Sequence, residues 1–186
     1  RIQFFSLLDP ELAGEIFSHL DPAEQIQILE AIDREKSARL LAEVEPDDRA
    51  DLFASLPEEM EARFLKVLDA KERRETEELL SYPPSTAGGR MTTKFAWTTD
   101  DSTVGQALEA IRRTGREAET IYYIYVLDRY RRLVGVTSLK QLVLAEPDQP
   151  ISSIMDTNVI SVPLDMDQEE VAREIQKYDF LALPVV

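Results

Sequence analysis

The 186-residue chain contains no cysteine and a single histidine, His19. The absence of cysteine excludes a disulfide framework, thiolate metal ligands and a cysteine nucleophile. One histidine excludes zinc sites that need several imidazole ligands. The sequence also lacks any run of about 18 apolar residues, so no segment is predicted to span a membrane. Because it begins with arginine and shows no signal peptide, we expect the chain to be a fragment of a longer polypeptide.

Acidic side chains outnumber basic ones by 36 to 21, which gives a formal net charge of −15. The imbalance is concentrated in residues 1–89, which carry 21 acidic and 10 basic side chains, a net charge of −11. This charge disfavours nucleic acid as a partner and suits cations or basic surfaces. With 44% hydrophobic residues the chain can still bury a core, so we predict folded domains.

Residues 7–80 repeat with a period of 12. Each unit starts with an apolar residue, usually followed by an aspartate, glutamate or proline, which are residues typical of a helix start. Further apolar residues recur eight and nine positions later. We therefore predict a stack of helices of about eight or nine residues, each too short to be stable alone. The apolar junction residues are Leu8, Leu20, Ile32, Val44, Leu56, Leu68 and Leu80.

The proline- and glycine-containing segment 82–89 interrupts this repeat and indicates a domain boundary. After it, the sequence predicts strands and helices in alternation. Ser102 is predicted to cap the first of these helices, which runs to about Arg113. The other predicted elements are strands at 95–97, 121–128 and 133–137 and a helix over 139–144.

The same plan restarts about 64 residues further along. Here the pattern predicts a strand at 159–162, a helix over 167–178 and a strand at 181–186. The sequence thus predicts a β-α-β-β-α unit repeated in tandem, with the second copy cut short.

This tandem pattern resembles a pair of CBS domains. The resemblance is carried by Ile151–Met155 (ISSIM), before the second unit, and by Gly135–Ser138 (GVTS), at a strand end. Together with the acidic helical repeat and with Met91-Thr92 after the linker, it makes the whole chain similar to the cytosolic portion of the MgtE family of magnesium transporters and channels. Further matching stretches are 47–51 (DDRAD), 118–126 (AETIYYIYV) and 167–172 (DQEEVA).

The resemblance implies a fold of the α plus α/β class. An N-terminal right-handed superhelix of short helical repeats would be followed by a tandem CBS pair whose second unit is incomplete. The implied domains are an acidic helical-repeat domain at 1–82, a linker at 83–90, a first CBS domain at 91–150 and a truncated second CBS domain at 151–186.

The resemblance also implies a regulatory role rather than an enzymatic one. Mg²⁺ would bridge the acidic helical domain and the CBS domains and favour a closed pore. The implied partners are a second copy, bound through the CBS domains, and a transmembrane pore domain of the same chain outside this sequence. The chain would lie on the cytoplasmic side of the cell membrane. The alternative is a nucleotide-sensing or protein-interaction scaffold without a metal role.

Two carboxylates of the helical repeat are candidate Mg²⁺ ligands, because Mg²⁺ prefers oxygen ligands and often takes one or two carboxylates plus waters. Asp47 and Asp51 are four residues apart and share one face of the fourth repeat helix. Asp47 could equally be a first-turn acid that the helix dipole stabilises, whereas Asp51 lies beyond that turn. The resemblance adds Glu15, on the first repeat helix, as a further candidate.

In the CBS region the resemblance implies Asp167, Glu169 and Asp179 as Mg²⁺ ligands. Asp167 has a competing structural explanation, because it forms the D-x-x-E pattern of a capping box with Glu170. Glu169 could simply be solvated. Asp179 follows the predicted helix and has no evident capping role.

ATP is an open question, because CBS pairs often bind adenine nucleotides and the family can bind ATP. The usual mark is an aspartate that closes a G-x-x-S/T-x-x-D stretch and holds the ribose. Here Gln141 stands in place of that aspartate. Lys140 could still meet a phosphate, although a solvated helix lysine explains it as well.

Overall fold

The computed structural model describes residues 8–186, and the chain divides into two compact units between Thr93 and Lys94. Residues 1–7 of the predicted helical-repeat domain lie outside the described residues. The described part of the first unit is helical. Its helices are α1 (Pro10–Ser18), α2 (Pro22–Ala31), α3 (Arg34–Ala42), α4 (Pro46–Ser55), α5 (Glu58–Leu65), α6 (Ala70–Leu80) and α7 (Ala87–Arg90).

Aspartate side chains begin four of these helices, as the repeat predicts. Each accepts a hydrogen bond from a backbone N–H of the first turn, which otherwise has no partner within the helix. Asp69 completes a full capping box, because Glu72 in turn accepts from the Asp69 N–H. The four capping residues are Asp9, Asp21, Asp33 and Asp69.

The deeper of the two repeating apolar positions forms the core of this unit. Phe17, Leu29, Leu41 and Phe53 follow each other at intervals of 12 residues, and all four are completely buried. In the next repeat the buried residue is instead Phe64, one position earlier than the period predicts. The stack is therefore regular over four repeats and shifts by one residue in α5.

Three pairs of next-but-one helices pack on each other: α1 on α3, α2 on α4 and α4 on α6. Gly14 of α1 lies directly against Glu43, the residue that ends α3. A Cβ atom at Gly14 would lie 2.7 Å from the Cβ of Glu43 and 2.8 Å from its carbonyl oxygen. Alanine would therefore be excluded here by packing, although its intrinsic helix propensity is better by about 1 kcal/mol.

The second unit contains the predicted β-α-β-β-α plan. Its three strands are ordered β1-β2-β3, with β1 parallel to β2 and β2 antiparallel to β3. Tyr125 lies opposite both Trp97 and Val136 in this sheet. The elements are β1 (Trp97–Thr99), α8 (Val104–Thr114), β2 (Tyr123–Leu127), β3 (Leu133–Ser138), α9 (Leu139–Leu144), a 3₁₀ turn (Ile151–Ser153) and α10 (Gln168–Tyr178).

The start of this unit differs from the prediction in two places. The first strand lies at 97–99 rather than 95–97, because pairing with β2 defines its extent. Ser102 was predicted to cap α8, but Thr103 is the capping residue and forms a capping box with Gln106. The Ser102 hydroxyl lies instead 2.8 Å from that of Thr99.

The two strands predicted in the second copy, at 159–162 and 181–186, are wrong as continuous strands. A single parallel bridge joins Val162 to Val185. Val162 donates to the Pro184 carbonyl and Val186 donates to the Val162 carbonyl, at 3.0 and 2.9 Å. Pro184 has no N–H, so it cannot donate the next bond that would extend this bridge into a ladder.

Candidate functional site

Helix α4 carries the two candidate ligands of the first unit. Pro46 occupies the first turn of α4, and Asp47 and Asp48 follow within that turn. Asp47 is partly buried and Asp51, one turn further on, is exposed. The spacing places both carboxylates on one helix face, where their like charges repel by a few tenths of a kcal/mol.

Asp51 forms an ion pair that the sequence analysis missed. Its Oδ2 atom accepts from Nη1 of Arg90 at 2.6 Å, and both side chains are about half exposed. Arg90 is the last residue of α7 and stands 39 residues after Asp51. No local pattern links positions so far apart, so this contact had no signal in the sequence.

Arg49 anchors α4 to the interior of the first unit and was also missed. Its side chain is almost fully buried, at 1% exposure. Its Nη1 donates to the carbonyls of Leu41 and Val44 at 3.1 and 3.3 Å, and its Nε donates to Oγ1 of Thr76 at 2.9 Å. Glu75 lies 3.6 Å from Nη2. Removal from water lowers the pKa of Arg49, and nearby carboxylates oppose that shift.

The remaining candidate of the helical unit, Glu15, is exposed on α1. Within residues 8–186 no three acidic or histidine side chains come together in a group that could hold a metal ion. In the helical unit, Asp47 and Asp51 share one face of α4, whereas Glu15 lies on α1. Mg²⁺ commonly keeps several waters, so donors of this chemistry suit it as partial sites rather than as a complete cage.

Asp167 begins α10, but the predicted capping box with Glu170 is wrong. The Asp167 carboxylate accepts from the Glu169 N–H at 2.8 Å, and not from the Glu170 N–H that a capping box uses. The Glu170 carboxylate faces Arg173 at 3.9 Å instead of returning to the helix start. Asp167, Glu169 and Glu170 are all exposed.

Asp179 ends α10 and has the capping role that the sequence analysis did not assign. Its backbone is left-handed, with φ 54° and ψ 41°, and its N–H donates to the Ile175 carbonyl. Since a helix rises 1.5 Å per residue, Asp179 lies about 18 Å from Asp167. These two carboxylates are too far apart to bind the same ion.

Gln141 has a structural role at the position where an aspartate would hold a ribose. Its Oε1 accepts from the Ser138 N–H at 2.9 Å, and its own N–H donates to the Ser138 hydroxyl, which forms the capping box of α9. Lys140 is exposed in the first turn of the same helix. Gln141 therefore stabilises the start of α9, and the exposed charged side chain in this turn is that of Lys140.

Family models match almost the whole chain. Residues 1–85 match the MgtE intracellular N domain, and residues 87–148 and 151–186 match the CBS domain. Within residues 8–186, no helix is both long enough and apolar enough to cross a membrane.

Curated relatives of the chain are magnesium transporters. The chain is 43% identical, along its entire length, to the magnesium transporter MgtE of Thermus thermophilus, of which it spans 42%. It is 41% identical over 66% of its length to MgtE of Bacillus subtilis, of which it spans 27%. The chain therefore spans less than half the length of these relatives.

Two solved structures are similar over nearly the whole chain. The cytosolic domain of the Mg²⁺ channel MgtE in complex with ATP has a TM-score of 0.93 and 40% identity, with 98% of this chain and 75% of that chain covered. The soluble part of a magnesium transporter has a TM-score of 0.83 and 36% identity, with 100% and 78% covered. The chain therefore belongs to the MgtE family and contains its intracellular N domain followed by CBS domains.

Proposed function

We propose that this chain is the Mg²⁺-sensing regulatory region of a magnesium transporter, on the cytoplasmic side of the membrane. Mg²⁺ bridges the acidic helical unit and the CBS unit and thereby favours a closed pore. One observation carries this proposal: a chain that is 43% identical to a magnesium transporter exposes candidate carboxylates in both of its units. A carboxylate from each unit would supply only part of a coordination shell, so an ion would bind best when the two units come together.

The mechanism requires that Mg²⁺ bind the closed arrangement more tightly than the open one. Carboxylates divided between two units supply this difference, since they coordinate one ion together and repel each other when it leaves. Residues 1–89 of the helical unit carry 21 acidic and 10 basic side chains. This excess negative charge would drive the helical unit away from the acidic positions of the CBS unit when Mg²⁺ leaves. A shift from mostly open to mostly closed needs about 5.5 kcal/mol of differential binding, which several weak sites supply jointly.

Asp47 and Asp51 would supply ligands from the helical unit, with Glu15 as an additional donor. Asp167 and Glu169, at the start of α10, would supply them from the CBS unit. Because Asp179 ends the same helix about 18 Å away, it would serve a second ion. Dimerisation through the CBS domains and attachment to a transmembrane pore domain are further parts of this proposal.

The test measures compaction and binding on the 186-residue chain. We expect millimolar Mg²⁺ to reduce the radius of gyration in small-angle scattering and to give binding heat in calorimetry. The double variant Asp51→Asn/Asp179→Asn should lose most of both responses. The control Glu77→Gln/Glu117→Gln removes the same charge from one exposed position in each unit and should behave like the wild type. An unchanged radius and no binding heat in the wild type would refute the proposal.

Nucleotide binding by the CBS unit is a second candidate function. It is supported by the similar MgtE cytosolic domain that was crystallised with ATP. In this chain Lys140 is the exposed charge beside the relevant loop, whereas Gln141 is engaged with Ser138. Titration with ATP, in the wild type and in Lys140→Ala, distinguishes this function: we expect the variant to bind more weakly. Absence of ATP binding to the wild type would refute this second function, and Mg²⁺ sensing would be the one proposed function that remains.

A further inference from the structure

We propose that Arg90 is an internal counter-cation of the Mg²⁺-sensing face: its guanidinium occupies the Asp51 carboxylate in the metal-free chain, and an arriving Mg²⁺ has to displace it. Arg90 would thus set the Mg²⁺ concentration at which the carboxylate becomes available. This inference rests on the proposed function, in which Asp51 is a Mg²⁺ ligand.

The position of Arg90 is set by its surroundings on α7. Ala87 and Gly88 are buried, and the Thr86 hydroxyl caps the helix by accepting from the Gly89 N–H at 3.3 Å. A Cβ atom on Gly89 would lie 2.3 Å from the Pro83 carbonyl oxygen, so the backbone there is packed without spare room. The guanidinium therefore reaches Asp51 from an anchored backbone rather than from a free loop.

Charge explains why a cation is needed at this place. Asp47 and Asp51 are one turn apart on α4, and like charges at this spacing destabilise a helix. The Arg90 guanidinium, 2.6 Å from the Asp51 carboxylate, offsets that repulsion. Mg²⁺ would offset it more strongly, and it binds oxygen at about 2.1 Å. The two cations repel each other at such short range, so they are alternatives for the same carboxylate.

Displacement of Arg90 has a consequence for the chain beyond α7. Arg90 lies three residues before Thr93, where the first unit ends. Loss of its ion pair with Asp51 would remove one link between the end of α7 and α4, at the segment that leads into the second unit. Binding of Mg²⁺ to Asp51 on α4 would in this way alter a contact of Arg90, close to the boundary between the two units.

Calorimetric Mg²⁺ titration of the full 186-residue chain at low ionic strength tests the competition. We expect Arg90→Gln to bind Mg²⁺ about two- to five-fold more tightly, the range expected for the loss of an exposed ion pair. Arg90→Lys keeps a charge but not the guanidinium fork, and its affinity should lie between those of Arg90→Gln and the wild type. The control is Arg74→Gln, which removes the same charge from an exposed position on α6.

The outcomes separate this inference from the proposed function. In an Asp51→Asn background, Arg90→Gln should no longer tighten binding, because the carboxylate for which the cations compete is gone. If the wild type binds Mg²⁺ but Arg90→Gln matches Arg74→Gln, the inference is overturned and the proposed function stands. If the wild type binds no Mg²⁺, both are overturned. Circular dichroism checks the fold of each variant. If Arg90→Gln fails to fold, the Mg²⁺ affinity of Arg90→Lys relative to the wild type decides the question.

Discussion

Asp179 combines a proposed metal role with an unusual backbone conformation. Among residues 8–186 only Arg131 and Asp179 are non-glycine residues with positive φ. The left-handed region costs most side chains roughly 1–2 kcal/mol, while aspartate and asparagine adopt it more readily than other non-glycine residues. The choice of residue at this helix end is therefore partly conformational, independently of any ion.

Substitutions at Asp179 should separate these two roles. We expect Asp179→Asn to keep the free energy of unfolding without Mg²⁺, and Asp179→Ala to lose about 1 kcal/mol, because alanine is strained at φ 54°. Urea denaturation of both variants measures the difference. Equal losses in the two variants would contradict the conformational explanation.

Asp128 holds the β2–β3 turn through a carboxylate with three donors. It accepts from the N–H groups of Tyr130 and Arg132 at 2.8 and 2.9 Å and from Nε of Arg132 at 2.8 Å. The backbone hydrogen bond from Arg132 is the main reason why the pKa of Asp128 lies below its usual value of 3.8. A carboxyl whose pKa is lowered by folding stabilises the protein above its usual pKa and loses that effect as pH falls through the lower, folded value.

The pH dependence follows from this sign. We expect Asp128→Asn to melt at a lower temperature than the wild type at neutral pH, with the gap narrowing as the pH falls below 3.8. Melting curves over a pH series measure the gap. Asp148→Asn, at an exposed position outside this turn, is the control. A gap that widens in acid would contradict the assigned role.

Among the helices, α4 depends most on a single buried charge. Arg49 joins its own helix to the end of α3 and to Thr76 of α6. Because it is 1% exposed, the carbonyls and the hydroxyl that accept from it would remain buried after its removal. The face that carries Asp47 and Asp51 is thus held in place from the opposite side of the helix.

Truncation of Arg49 should therefore be severe. We expect Arg49→Ala to lower the free energy of unfolding by about 3 kcal/mol, as expected when one member of a buried polar set is removed. Chemical denaturation measures this change. Arg74→Ala, an exposed arginine on α6, should change stability by less than about 0.5 kcal/mol. A similar effect of both variants would mean that burial of the charge does not matter.

For the whole molecule, the proposed mechanism predicts feedback by cytosolic Mg²⁺. In the reconstituted full-length protein we expect ion flux to fall as Mg²⁺ rises on the side of these domains. Deletion of residues 1–89, which carry a net charge of −11, should abolish this response. High concentrations of a monovalent salt should partly replace Mg²⁺, since screening weakens the repulsion between acidic surfaces. An unaltered Mg²⁺ response after the deletion would place the sensor elsewhere.

Local features of both units were predictable from the order of residues. The capping aspartates Asp9, Asp21 and Asp33 and the buried residues that follow them depend on neighbours within one helical turn and on a fixed period, so sequence spacing specifies them. Spacing also predicted the β2–β3 hairpin, where apolar runs flank a charged turn. The candidate acids Glu15, Asp51, Asp167 and Glu169 are exposed, but their role as ligands stays a prediction.

The contacts that set the electrostatics of the candidate site depend on how distant segments stack. Arg90 meets Asp51 across 39 residues and Arg49 meets Thr76 across 27. The pairing of Val162 with Val185 likewise stops at Pro184, whose missing N–H matters only because these two segments lie side by side. Helix caps need only the next few residues, whereas an ion pair or a strand ladder needs a partner that tertiary packing brings close. The sequence therefore specified the helices and the hairpin, and packing specified which cation faces Asp51.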